Sequence, residues 1–142
     1  MQNLCFYFVA CYNHLQATAS SVRGLTSIGF PRWPGARHSC EWTLSVPMGY
    51  IVKLWFRVFD CPSNSDRVIL KDGSLMYDSP DSAVIGSYCQ QEQLTFNYNC
   101  KAPSTVYSLS RQMSVILNFE SGQHWTNDGV SMYFTAVRRG RK

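Results

Sequence analysis

The chain has 142 residues, 45% of them hydrophobic and only 15% charged, which excludes a disordered segment and suits a single domain with its own core. The formal net charge of +4 belongs to one end of the chain: Arg138, Arg139, Arg141 and Lys142 stand in the closing RRGRK, and the nine other basic residues balance nine acidic ones. That excludes a broad basic face for nucleic acid and leaves the tail as a solvated terminus, a contact for sulfated glycan, or an R-x-x-R convertase site at Arg138 and Arg141.

At the N-terminus, Leu4 to Tyr12 is an apolar run of nine, followed by a polar stretch and by Ala17-Thr18-Ala19. This has the length of a secretory h-region and ends on an A-x-A signal, which predicts a signal peptide over residues 1–19 with cleavage before Ser20. No Lys or Arg precedes the run, so a first strand of the domain is the alternative. The run is too short to span a bilayer as a helix, and no other segment could cross one. Ser20 to Arg23 then reads as a flexible lead.

From here the hydrophobic period is two, with no helical stretch of useful length. In Glu41 to Val46, Trp42, Leu44 and Val46 share one face. In Tyr50 to Phe59, Val52, Leu54, Phe56 and Val58 form an apolar face, opposite Ile51, Lys53, Trp55, Arg57 and Phe59. Pro47-Met48-Gly49 reads as a tight turn joining these two strands into a hairpin between Cys40 and Cys61. Arg67 to Lys71 is a short strand ending in the hairpin signal Asp72-Gly73. Ala83 to Tyr88, Met113 to Phe119 and Val130 to Val137 complete the set, and the chain from Arg138 reads as a linker or tail. Short strands separated by Gly, Pro, Asn, Asp and Ser predict an all-β fold, an antiparallel two-sheet β-sandwich.

Six cysteines are present, at 5, 11, 40, 61, 89 and 100. Cleavage after Ala19 would leave four, an even number suited to two disulfides in an oxidising compartment. No C-x-x-C pair points to zinc or thiol redox chemistry, and no N-x-S/T sequon is present.

Taken in order, these segments resemble CUB domains. Gly24 to Pro31 is similar to the family's G-x-I-x-S-P-x-Y-P opening, with Ile28 and Phe30 in place of Pro and Tyr. Cys40-Glu41-Trp42 resembles C-x-W. Pro47-x-Gly49 with the apolar strand ending Phe56-x-x-Phe59 resembles P-x-G-x-x-I-x-L-x-F-x-x-F. Ile85-Gly86-Ser87-Tyr88-Cys89, Val115 to Phe119 and Gly129 to Tyr133 resemble the later motifs. The resemblance spans Gly24 to Val137 and implies a jelly-roll-type domain over residues 20–137, extracellular, secreted and non-catalytic, that serves binding and assembly.

The resemblance also implies a disulfide set. The family's first bridge joins a cysteine near the N-terminus to that of C-x-W; here the partner of Cys40 could only be Cys11, which the expected cleavage removes. The second bridge would be Cys61 with Cys89, leaving Cys40 to pair with Cys100 or stay free; Cys61 with Cys100 is the other arrangement. Four cysteines allow three connectivities, and each bridge adds about 2–4 kcal/mol.

Many CUB domains bind Ca²⁺ at one end of the sandwich, and a hard cation needs several converging oxygen ligands. Asp66 matches one position of the family's set, and Asp60 and Glu120 are weaker candidates, with Asp128 nearby. Trp33 stands where the family's Tyr would be, and Gly122 where its second Asp would be. No metal or other cofactor is therefore expected.

Catalytic motifs are missing as well: there is no G-x-S-x-G, H-E-x-x-H or P-loop, and no enzyme is expected. The expected function is recognition of an extracellular protein or sulfated glycan through loops at one end of the sandwich. Arg32, Trp33 and Trp125 are the candidate anchors, and residues 138–142 form a basic tail. The second reading is an accessory domain of a longer secreted protease or receptor.

Overall fold

The computed structural model describes residues 8–27, 37–59, 67–73, 84–88, 103–119 and 130–140. They form nine strands: β1 (Phe8–Gln16), β2 (Arg23–Thr26), β3 (Arg37–Ser45), β4 (Tyr50–Phe59), β5 (Arg67–Asp72), β6 (Val84–Tyr88), β7 (Val106–Tyr107), β8 (Gln112–Phe119) and β9 (Val130–Arg138). One sheet has the order β1-β3-β8-β5-β6 and the other β2-β9-β4-β7. Neighbours are antiparallel except β1 and β3, which run parallel. Among the described residues no helix is long and apolar enough to cross a membrane.

Period-two alternation explains the core. From the first sheet, Trp42, Leu44, Val68, Leu70, Met113, Val115 and Leu117 turn inward; from the second, Leu25, Val52, Leu54, Val130, Met132, Phe134 and Ala136 meet them. All are buried, most of them completely. Each of the larger of these, the Val, Leu, Met and Phe side chains, contributes about 1.5–3 kcal/mol by leaving water.

Three sequence expectations are corrected. The segment from Cys40 to Phe59 is not a hairpin: β3 pairs with β1 and β8, while β4 pairs with β7 and β9. The turn at Pro47-Met48-Gly49 carries the chain from one sheet to the other, so the two apolar faces pack against each other instead of lying side by side. Gly49, at φ 89°, takes the left-handed conformation that the turn requires. In β4, a bulge between Phe56 and Val58 reverses the alternation. Phe59 therefore joins Phe56 on the core side, the rings meeting edge to face at 4.9 Å, and Val58 does not continue the inner face. A spacing of three in a strand otherwise sends two side chains to opposite faces.

The third correction concerns Ser20 to Arg23. Thr18 and Ser21 are linked by the Thr18 N–H to Ser21 Oγ at 2.9 Å, and the Thr135 hydroxyl on β9 contacts the carbonyls of Thr18 at 3.1 Å and Ser21 at 2.6 Å. Arg23 opens β2. This is a fastened corner, not a flexible lead.

Within the segment expected to be a leader, Phe8–Gln16 form β1, with Cys11 directly opposite Cys40 in the register. Just beyond it Ala17 is buried in the core, and its N–H donates to the Ser45 carbonyl at 3.1 Å.

Candidate binding surfaces at the two ends of the sandwich

Strand direction defines two ends. At the first, Thr26, Phe59, Arg67, Tyr88, Phe119 and Val130 begin or finish their strands. The candidate anchors Arg32, Trp33 and Trp125 and the calcium candidates Asp60, Asp66, Glu120 and Asp128 fall in the segments between these positions and lie outside the described residues. So do Cys61, Cys89 and Cys100, and with them both expected disulfide arrangements, together with Arg141 and Lys142. Cys40 itself is fully buried and disulfide-bonded. At this end Tyr88 packs edge to face on Phe59 at 6.3 Å, and burial pushes its phenol pKa up.

The second end is built from turns. It carries residues 17–22, the 46–49 turn, Asp72-Gly73, residues 108–111 and Arg139-Gly140. Asp72 fastens it. Its Oδ1 accepts from the Leu109 N–H at 2.7 Å, the Ser110 N–H at 3.0 Å and the Ser110 hydroxyl at 3.2 Å. Ser108 ties the same turn to β4: its hydroxyl accepts from the Val52 N–H at 2.8 Å, and its own N–H donates to the Val52 carbonyl at 3.0 Å. β5 pairs antiparallel with β6, the next strand in the chain, in line with the hairpin signal at Asp72-Gly73, and Asp72 fastens the neighbouring turn as well. Gly73, at φ 98°, places its N–H on the Gln112 carbonyl and its own carbonyl against the Ser114 hydroxyl.

On this fastened frame, large apolar side chains stand in water: Met48 is 81% exposed, Leu109 74% and Val22 56%. Arginines stand at the same end. Arg139 donates to the Leu109 carbonyl at 2.9 Å, and Arg138 lies over the Tyr50 ring at 5.5 Å. A pocket of about 380 Å³ opens where the sheets part, lined among others by Thr18, Ser21, Arg23, Ser45 and Arg111, with Ala17 and Val46 behind them. The Ser45 hydroxyl is held there by His14 Nε2 at 2.6 Å and by the Gln112 side-chain amide at 3.1 Å. Arg23 and Arg111 escape sequence reasoning because no motif surrounds either; only the register brings residues 88 positions apart to one opening.

The CUB domain family model matches residues 11–134, and the chain belongs to that family. Dog cubilin is 32% identical over 98 residues, 64% of this chain and 2% of cubilin; human tolloid-like protein 2 is 35% identical over 75 residues, 49% of this chain and 7% of that protein. The chain thus spans a small fraction of the curated relatives it matches. Among solved structures, the CUB1-EGF-CUB2 domains of rat MASP-1 match at TM-score 0.64 and 19% identity, covering 87% of this chain and 42% of that one. The MASP-1 CUB2 domain bound to Ca²⁺ matches at 0.58 and 17%, covering 86% and 96%. These likenesses show the jelly-roll sandwich. Among the described residues, no group of three or more His, Cys, Asp or Glu is placed to hold a metal.

Proposed function

We propose that the domain is a non-catalytic, extracellular interaction module of a larger protein, and that it docks a protein partner on its turn end. CUB domains are typically extracellular interaction modules. The observation that carries the assignment to this end is the exposure of Met48, Leu109 and Val22 on turns that Asp72, Ser108 and Thr135 hold rigid. Apolar tips on a rigid frame lose little entropy on docking, and Met and Arg are enriched in protein interfaces. The test is a binding panel of secreted ectodomains against the wild-type domain, M48D/L109D and W33A/W125A. Loss of a bound ectodomain with M48D/L109D supports the reading. Loss with W33A/W125A alone returns recognition to Arg32, Trp33 and Trp125.

We further infer that β1 stays in the folded protein and that Cys11 is the partner of Cys40, which favours the strand alternative over cleavage at Ala19. The parallel register and the buried Ala17 support this. Intact mass and peptide mapping of the secreted protein check it: an N-terminus at Ser20 would overturn it. We also propose that the domain works without calcium, since Asp66 is the one carboxylate that matches the family's set. An equal Tm in excess Ca²⁺ and in EDTA is expected, and a rise with Ca²⁺ would count against it.

A further inference from the structure

We infer that the pocket between the sheets at the turn end binds a sulfate group of a sulfated glycan, a second activity that does not depend on the protein-docking reading. Two arginines line it, Arg23 and Arg111, and none of the lining residues is acidic. Arg23 is set in place by donating from its Nη1 to the Gln16 carbonyl at 3.0 Å. Arg111 is exposed, and its side chain makes no hydrogen bond or ion pair with the described residues, so its donors are open to a ligand. A guanidinium presents a planar fork of donors that fits an oxyanion on two points. The hydroxyls of Thr18, Ser21 and Ser45 supply the neutral polar contacts that orient a sugar. The wall is preformed, because Thr18 and Ser21 are fixed to β9 and Ser45 to His14 and Gln112. At about 380 Å³ the volume falls at the small end of the range of about 300–1,000 Å³ usual for ligand sites, fitting one residue of a chain rather than a large ligand.

The surrounding field selects a polyanion. Arg138 and Arg139 stand at the same end, so four arginines face solvent here against one carboxylate described among the turns, Asp72. Arginines that lie far apart in the sequence are thus gathered at one end among the described residues. A repeating sulfated chain can seat one group in the pocket and pass others across Arg138 and Arg139. An acidic peptide shares the charge but lacks the sugar hydroxyls that the pocket lining would meet.

The test is immobilised heparin with the full chain and salt elution, followed by calorimetry with a heparin oligosaccharide. R111Q, which breaks no bond in the fold, is expected to weaken binding by about tenfold, the loss of one charge-assisted contact. R23Q/R111Q is expected to abolish it, and R23K/R111K, which keeps the charge without the fork, to recover only part. R67Q, at the opposite end, should elute with the wild type. Three outcomes would each overturn the proposal: no retention of the wild type, retention of R111Q equal to wild type, or polyglutamate or desulfated heparin competing as well as heparin.

Discussion

Asp72 shows how much one side chain does for the turn end. A single carboxylate oxygen satisfies two backbone N–H groups and a hydroxyl on a turn 37 and 38 residues away. Asp72→Ala leaves those donors to water and is expected to cost about 2 kcal/mol, read as a lower urea midpoint with an unchanged m-value. Asp72→Asn keeps the acceptor and should recover part of the loss. Tyr88 gives the pH prediction at the same scale. Burial raises its phenol pKa above the ordinary 10.0, so the folded state favours the neutral form. The unfolded chain then loses this proton first as pH rises. Stability from Tyr88 is fully present below about pH 10 and is lost as pH climbs through the raised folded value. Absorbance titration should show a late-ionising component that Tyr88→Phe removes, and the fall in stability above pH 10 should be shallower in that variant.

At the scale of elements, β4 and β9 form the spine of the second sheet, registered from Tyr50 opposite Arg138 to Phe59 opposite Val130. Leu54 sits near its middle, fully buried, opposite Phe134. Leu54→Ala is expected to cost about 3 kcal/mol by cavity formation, measured by thermal or urea unfolding. The bulge at Arg57 has a separate role, since it turns Phe59 to the core beside Phe56 and Tyr88. β1 is an edge strand in parallel pairing, with Ala17 packed just past its end. Truncation before Ser20 would expose an edge of β3 and uncover part of the core, so the truncated chain is expected to unfold at lower temperature and to aggregate.

For the whole molecule, the two sheets form one frame whose turn end carries both the exposed apolar tips and the arginine-lined pocket. M48D/L109D should leave Tm within a degree or two of wild type, because both side chains already stand in water. Partner binding should be lost all the same, which separates docking from folding.

The order of apolar alternation, the motifs from Cys40-Glu41-Trp42 to Gly129-Val130, and the turn residues determined the family and most strands, because burial on a two-sided sheet leaves a period-two trace in the chain. Leu44, Leu54, Val115 and Phe134 were legible as core for that reason. The bulge at Arg57 was not, since one extra residue leaves no compositional mark. The passage of Pro47-Met48-Gly49 between sheets was not either, because a turn's sequence states its local geometry and not which sheet receives the next strand. The gathering of Arg23, Arg111, Arg138 and Arg139 was decided by tertiary structure alone. A charge count along the chain cannot see it; strand register converts distant positions into neighbours, and only then do four scattered arginines make one basic end.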